Sequence, residues 1–207
     1  MDTSDPNTRD RLLEAAVAVV DAHGVEGIRV RDIAAAANVR EPSVYHYFGS
    51  REGLVEAVEV ARFARDLTQI TNLFSTAVGQ CTSAEEFVAL CRRVIGATET
   101  PERRSVRSVR ASAFGSAQSR PALAEQISAA QLELDKDLAK GFDMAKVKGW
   151  VRPDLHSVTF AAWISGMVNG RIILEMNESA YSSQSWSEFT TDSVLLGLGY
   201  VNDKPTW

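Results

Sequence analysis

An all-α fold with about nine helices is predicted, and three observations carry it. Apolar residues recur at helical spacing from end to end, no stretch keeps a period-two alternation enriched in β-branched residues, and capping residues, prolines and glycines punctuate the chain at helix-length intervals. In the first helix Leu12, Ala16, Val19 and Val20 share a stripe while Arg11, Glu14 and Asp21 lie off it, and Gly24 supplies the stop. After a linker from Val25 to Arg29, the run Val30 to Ala37 places Ile33, Ala34 and Ala37 on one face. Asn38, which tolerates left-handed backbone, then makes a tight turn. Pro42 suits the first turn of a third, short helix, in which Val44 and Phe48 form an inward i, i+4 pair before Gly49 ends it. Ser50 is the expected N-cap of a long helix from Arg51 into the seventies, with Leu54, Val58, Phe63 and Leu67 on its apolar side.

Ser83 with Glu86 is a capping-box signature for a helix reaching about Ala97, and Thr100 with Pro101 opens another to about Gly115. Pro121 starts a long helix that ends before Gly149, and the connector from Gly149 to Pro153 leads into a largely uncharged helix ending near Met176. A second capping box, Ser185 with Glu188, is expected to start the last helix, which carries Val194, Leu195, Leu198 and Val201.

Composition narrows the function classes. With 207 residues, 45% of them hydrophobic, the chain can bury a sizeable core and is neither a disordered tail nor a fibre. A net charge of −5 excludes coating of nucleic acid or anionic membrane by bulk electrostatics, so any such binding is local. Cys81 and Cys91 are read as packing residues of a reduced, cytoplasmic chain. Asp2, Asp5 and Asp10 occupy an N-terminus with no apolar signal region, and no membrane-spanning run is expected. His23, His46 and His156 are far apart, and no metal-ligand spacing or nucleophile elbow is present. Gly197-Leu198-Gly199 lacks the preceding strand and third glycine of a dinucleotide loop. Neither catalysis, a metal nor a cofactor is expected.

The second and third helices with their tight turn, backed by the first, have the layout of a helix-turn-helix DNA reader. Many αα corners share that spacing, but the third helix adds Ser43, Tyr45, His46 and Tyr47, hydrogen-bonding side chains within two turns. Packing at the domain edge competes for Tyr45 and Tyr47. The segment Thr8 to Val58, with Gly27-Ile28-Arg29-Val30-Arg31-Asp32-Ile33-Ala34, then Val39-Arg40-Glu41-Pro42-Ser43-Val44-Tyr45-His46-Tyr47-Phe48 and Ser50-Arg51-Glu52, resembles the DNA-binding domain of TetR-type transcriptional regulators. The remainder resembles that family's ligand-binding half only in helix count, length and the connector Gly149-Trp150-Val151-Arg152-Pro153-Asp154.

The resemblance implies a helix-turn-helix DNA-binding domain over residues 1–50 and a helical ligand-binding and dimerisation domain over 51–207. It implies a homodimer on a palindromic double-stranded DNA operator, acting as a repressor that a small-molecule ligand releases. DNA contacts are implied for Val30, Arg31, Arg40, Glu41, Pro42, Ser43, Tyr45, His46 and Tyr47, with Arg51 as a phosphate clamp at a helix N-terminus. Asn38 replaces the glycine usual in the turn, and Glu41 repels phosphate yet can accept from cytosine N4. Residues 1–55 hold six arginines, no lysine and nine acids, so Arg31, Arg40 and Arg51 must face DNA while the acids point away. A dimeric helical sensor or protein-interaction module without operator binding is the alternative.

In the second half, Ser157 to Gly170 has no charged residue and spaces Gly166 and Gly170 four apart. With Val194, Leu195 and Leu198 it offers material for a two-plus-two helix dimer, an interior helix being the competing role. Phe74, Phe87, Cys91, Phe114, Trp163 and Met167 are candidate walls of a ligand pocket, against ordinary core packing for each. Arg103, Arg107 and Arg110 form a basic stripe with Arg104 beside it. Such a stripe reads first as a solvated face, and alternatively as the seat of an acidic ligand or a salt-bridged link to the DNA-binding domain; Arg107 and Arg110 are the ligand candidates.

Overall fold

A computed structural model describes residues 6–65, 67–98, 100–201 and 204–206. Among these the fold is all-α, with eleven α-helices, one 3-10 turn and a terminal pair of two-residue strands. Three helices, α1 (Pro6–His23), α2 (Val30–Ala36) and α3 (Glu41–Phe48), make the N-terminal head, and the linker after α1 is a single 3-10 turn, Val25–Gly27. Leu12, Ala16, Val20, Ile28, Ile33, Ala34 and Val44 close its core together with Leu54, Val55 and Val58 of α4 (Arg51–Ala64). The first half of α4 is therefore part of the head's hydrophobic core, and its second half leaves it.

Backbone conformation fixes the corners of the head. Asn38 has φ 55° and Gly49 φ 74°, the left-handed values their positions require. Ser50 caps α4, its hydroxyl accepting from the Gly53 amide at 2.9 Å. Gly53 is the close approach of this corner: a Cβ there would lie 2.1 Å from the Phe48 carbonyl oxygen, so only glycine lets the end of α3 rest on the start of α4.

The other helices are α5 (Leu67–Gln80), α6 (Ala84–Thr98), α7 (Arg103–Ala117), α8 (Pro121–Val147), α9 (Ser157–Gly170), α10 (Ile172–Glu175) and α11 (Ser183–Leu198). Phe74, Phe87, Leu90, Cys91, Phe142, Phe160, Val194, Leu195 and Leu198 build their main core. Phe63 at the end of α4 belongs to a third cluster, with Ala113, Leu123, Ile127 and Leu134.

Several boundaries depart from the sequence expectation. The long helix expected from Arg51 into the seventies breaks at Arg65, whose backbone is extended (φ −56°, ψ 143°); the Leu67 side chain lies outside the described residues. The helix expected to end near Met176 breaks at Arg171. These two breaks turn nine helices into eleven. The last helix begins at Ser183 and is capped by Ser182, not Ser185, whose amide is instead the donor to the Ser182 hydroxyl. At α6, Ser83 accepts from Glu86 as expected, but the Glu86 carboxylate reaches back to the Thr82 amide. Ser157–Glu175, 19 residues, is long and apolar enough to span a membrane by length and composition, contrary to the expectation. That stretch serves two apolar faces at once, one toward the core and one outward. It also turns Ser165 toward Asp135 and buries Arg171 beside Glu175.

Candidate functional site

The head presents one polar edge. Helix α3 begins at Glu41 with Pro42 in its first turn, where no amide hydrogen is needed, and Glu41 also meets the positive end of the helix dipole. Arg40, Glu41, Pro42, Tyr45 and His46 are exposed, while Val44 is buried in the head's core. Tyr47 and Phe48 are half-buried against that core, and the Tyr47 ring meets His46 edge-on at 5.0 Å. Arg31 projects into solvent at the start of α2, paired with neighbouring Asp32 at 3.7 Å. Arg51 stands at the first position of α4, 3.5 Å from the Val25 carbonyl oxygen. Arg31 and Arg51 thus stand at the two ends of the helix-turn-helix, with Arg40 in its turn.

Two of the expected DNA-contact residues have buried side chains. Val30 packs in the head's core, because the first turn of α2 faces α1, and Ser43 is buried beside Val44 on the inward side of α3. Sequence reasoning missed Gly53, which sets how α3 seats on α4; its spacing from the Ser50 cap was the available signal.

A cavity of about 430 Å³ lies in the second half, walled by α5, α6, α7, α8 and α9 with Val194 of α11. Phe74, Cys91, Arg107, Arg110 and Met167 line it, as does Arg103. Burial pushes the Cys91 thiol up to about 12, so it is an inert wall. Three other expected wall residues are elsewhere. Phe87 packs inside the core facing Trp150, Phe114 stacks edge-on with Phe63 at 5.2 Å, and Trp163 stacks outward on Phe160 at 5.6 Å.

The arginine stripe is not a solvated face: Arg107 and Arg110 are each only 2% exposed. Arg107 pairs with Glu175 and donates to the Thr98 carbonyl at 2.5 Å. Arg110 donates to the Phe63 carbonyl at 3.0 Å and to Asn169 Oδ1 at 3.1 Å, and also to Gln131. Burial lowers its pKa to about 10, opposed by the nearby Asp135 carboxylate, so it stays charged at neutral pH. Asp135 in turn accepts from Gln131 at 2.7 Å and Ser165 at 2.8 Å. One guanidinium thereby joins α4, α8 and α9 at the cavity wall.

The expected dimer residues divide. Val194, Leu195 and Leu198 are buried within their own chain, because the inward side of α11 packs on α6 and α9. Gly166 and Gly170 lie open, with nothing within 4 Å of where a Cβ would stand. Around them the outer faces of α9 to α11 expose Trp163 (44%), Ile173 (64%), Phe189 (76%) and Leu196 (60%).

Residues 12–58 match the family described as bacterial regulatory proteins, tetR family. The HTH-type transcriptional regulator BetI of Paraburkholderia phymatum is 35% identical over 63 residues, which are 30% of this chain and 32% of that one. The HTH-type transcriptional repressor KstR2 of Mycolicibacterium smegmatis is 42% identical over 50 residues, 24% of each chain. The chain thus spans about a third or less of the length of the curated relatives it matches. Over nearly its whole length it shares the fold of a TetR-family transcriptional regulator from Cytophaga hutchinsonii, with a TM-score of 0.60, 20% identity and 96% of each chain covered.

Proposed function

We propose that this chain, whose residues 12–58 match the tetR family of bacterial regulatory proteins, is a homodimeric, sequence-specific transcriptional repressor of the cytoplasm, released from a palindromic operator by a small molecule. The observation that carries the reading is the exposed edge of α3, where Arg40, Glu41, Pro42, Tyr45 and His46 stand clear of the core between Arg31 and Arg51. Helix α3 enters the major groove, Arg31 and Arg51 hold phosphates, and Glu41 and His46 select bases.

The outer apolar faces of α9 to α11 meet the same faces of a second copy. Two heads are then spaced for two half-sites, and closure is two-fold. Ligand in the cavity acts by population shift, favouring a spacing of the heads that no longer fits the operator. Helix α4 is the mechanical link: its first half lies in the head's core and the carbonyl of Phe63 near its end is held by Arg110 from the cavity wall.

Fluorescence anisotropy on DNA flanking the protein's own gene, against scrambled competitor and across a salt series, tests the reading. Competitor-resistant binding with two protomers per site is expected. Binding equal to that of scrambled DNA by an intact dimer favours a helical sensor without operator binding, the reading that the acidic balance of the head supports.

A further inference from the structure

We infer that the cavity takes an apolar molecule ending in one anionic group, with Arg103 as the cation that recognises it; this rests on the ligand-released reading above. The walls are almost wholly hydrocarbon, from Phe74, Leu90, Phe142, Met167 and Val194, yet the only charged residues lining them are Arg103, Arg107 and Arg110. No carboxylate lines the cavity among the described residues.

The charges behind the wall leave a surplus. Glu175 serves Arg107 and Arg171, Asp135 faces Arg110, and Glu178 pairs with Arg104 at 2.9 Å. Four guanidinium groups thus share three carboxylates, and Arg103 is a fifth. Glu102, next to Arg103 in the chain, is exposed and turned to Thr100, whose side chain and its own backbone hold its carboxyl below the ordinary value. Arg103 has no ion pair among the described residues, and it is only half-exposed, at the start of α7 on the cavity wall. Arg107 lines the same wall; it is buried and paired with Glu175, so it adds positive charge there. A planar carboxylate is matched to such a pair of guanidinium groups, whereas a neutral alcohol offers no charge and an ammonium group is repelled.

Size sets the body. At roughly 30 Å³ for a group the size of a water molecule, the volume holds about fourteen non-hydrogen atoms, the count of a twelve-carbon carboxylate.

Titration calorimetry on the full-length protein, with dodecanoate, dodecanol and dodecylammonium as probes, tests this without DNA. One dodecanoate per protomer is expected, about tenfold or more tighter than dodecanol, with dodecylammonium weakest. The variant Arg103→Gln alters a half-exposed side chain outside the core and should bring dodecanoate down to the level of dodecanol. Equal affinity for acid and alcohol, no dodecanoate binding, or an undiminished preference in Arg103→Gln overturns the inference. Operator release is measured separately: a carboxylate that binds through Arg103 and leaves DNA affinity unchanged would uphold the site and refute the ligand-released reading.

Discussion

The Arg110 guanidinium donates to the Phe63 carbonyl at 3.0 Å while its carbon lies 3.9 Å from the centre of the Phe63 ring, so one side chain of α7 grips both the backbone and the side chain near the end of α4. The same group bonds Asn169 of α9 and Gln131 of α8 and lines the cavity. A molecule that enters the cavity therefore meets the residue holding the helix that begins in the N-terminal head.

Replacing Arg110 by Met leaves Asp135 and the Phe63 carbonyl without their buried cation, and the loss is expected to be about 3 kcal/mol. Urea unfolding checks it. Arg110→Lys keeps the charge but cannot reach three acceptors at once, so it should fall between wild type and Met and respond less to ligand.

Gly53→Ala should displace α3. A Cβ 2.1 Å from the Phe48 carbonyl oxygen forces the corner open, and the carbonyl is backbone that cannot swing aside. About a tenfold loss of operator affinity is expected with helical content retained, measured by anisotropy and circular dichroism.

Arg51→Ala should weaken binding to all sequences alike and reduce the salt slope by about one, because it removes a proposed phosphate contact. Glu41→Ala should instead change which bases are preferred. A variant set that moved neither quantity would place the reading surface elsewhere.

Phe189→Asp and Leu196→Asp put charge on exposed apolar positions, so sedimentation should show folded monomers. Leu198→Asp buries that charge and should unfold the chain. The contrast separates the outer face of α11 from its inner one.

Asp21 ties α1 to α4 through Arg65 at 2.6 Å and Arg62 at 2.9 Å. The bond from Arg65, aided by Arg62 against the opposing effect of burial, holds its carboxyl below the ordinary 3.8. A depressed carboxyl stabilises the fold above that ordinary value and loses its contribution as pH falls through the folded one. Asp21→Asn should thus cost about 0.5 kcal/mol at pH 7, a figure reduced by solvent screening, and progressively less below pH 4. Thermal melts across pH read the difference.

Much of the head was legible because its signals are local. The Asn38 turn, the Gly49 stop, the Ser50 cap and the inward Val44 each depend on a few neighbouring residues. Facing was less legible: Val30 and Ser43 sit beside surface positions, and only packing against α1 and α4 turns them inward. In the second half the burial of Arg107 and Arg110 was hidden because their partners, Glu175, Asn169 and Phe63, come from distant segments. Helix α11 is apolar on two sides, and a sequence pattern does not say which one its own chain covers. The structure assigns Val194, Leu195 and Leu198 to the interior and leaves Phe189 and Leu196 outside.

The most direct measurement is selection of binding sites from a random double-stranded DNA pool by the purified protein, followed by anisotropy on the enriched sequence. Enrichment of a palindrome, bound by two protomers and weakened by Tyr45→Ala, is the predicted result. A protein that dimerises but enriches no sequence would contradict the account.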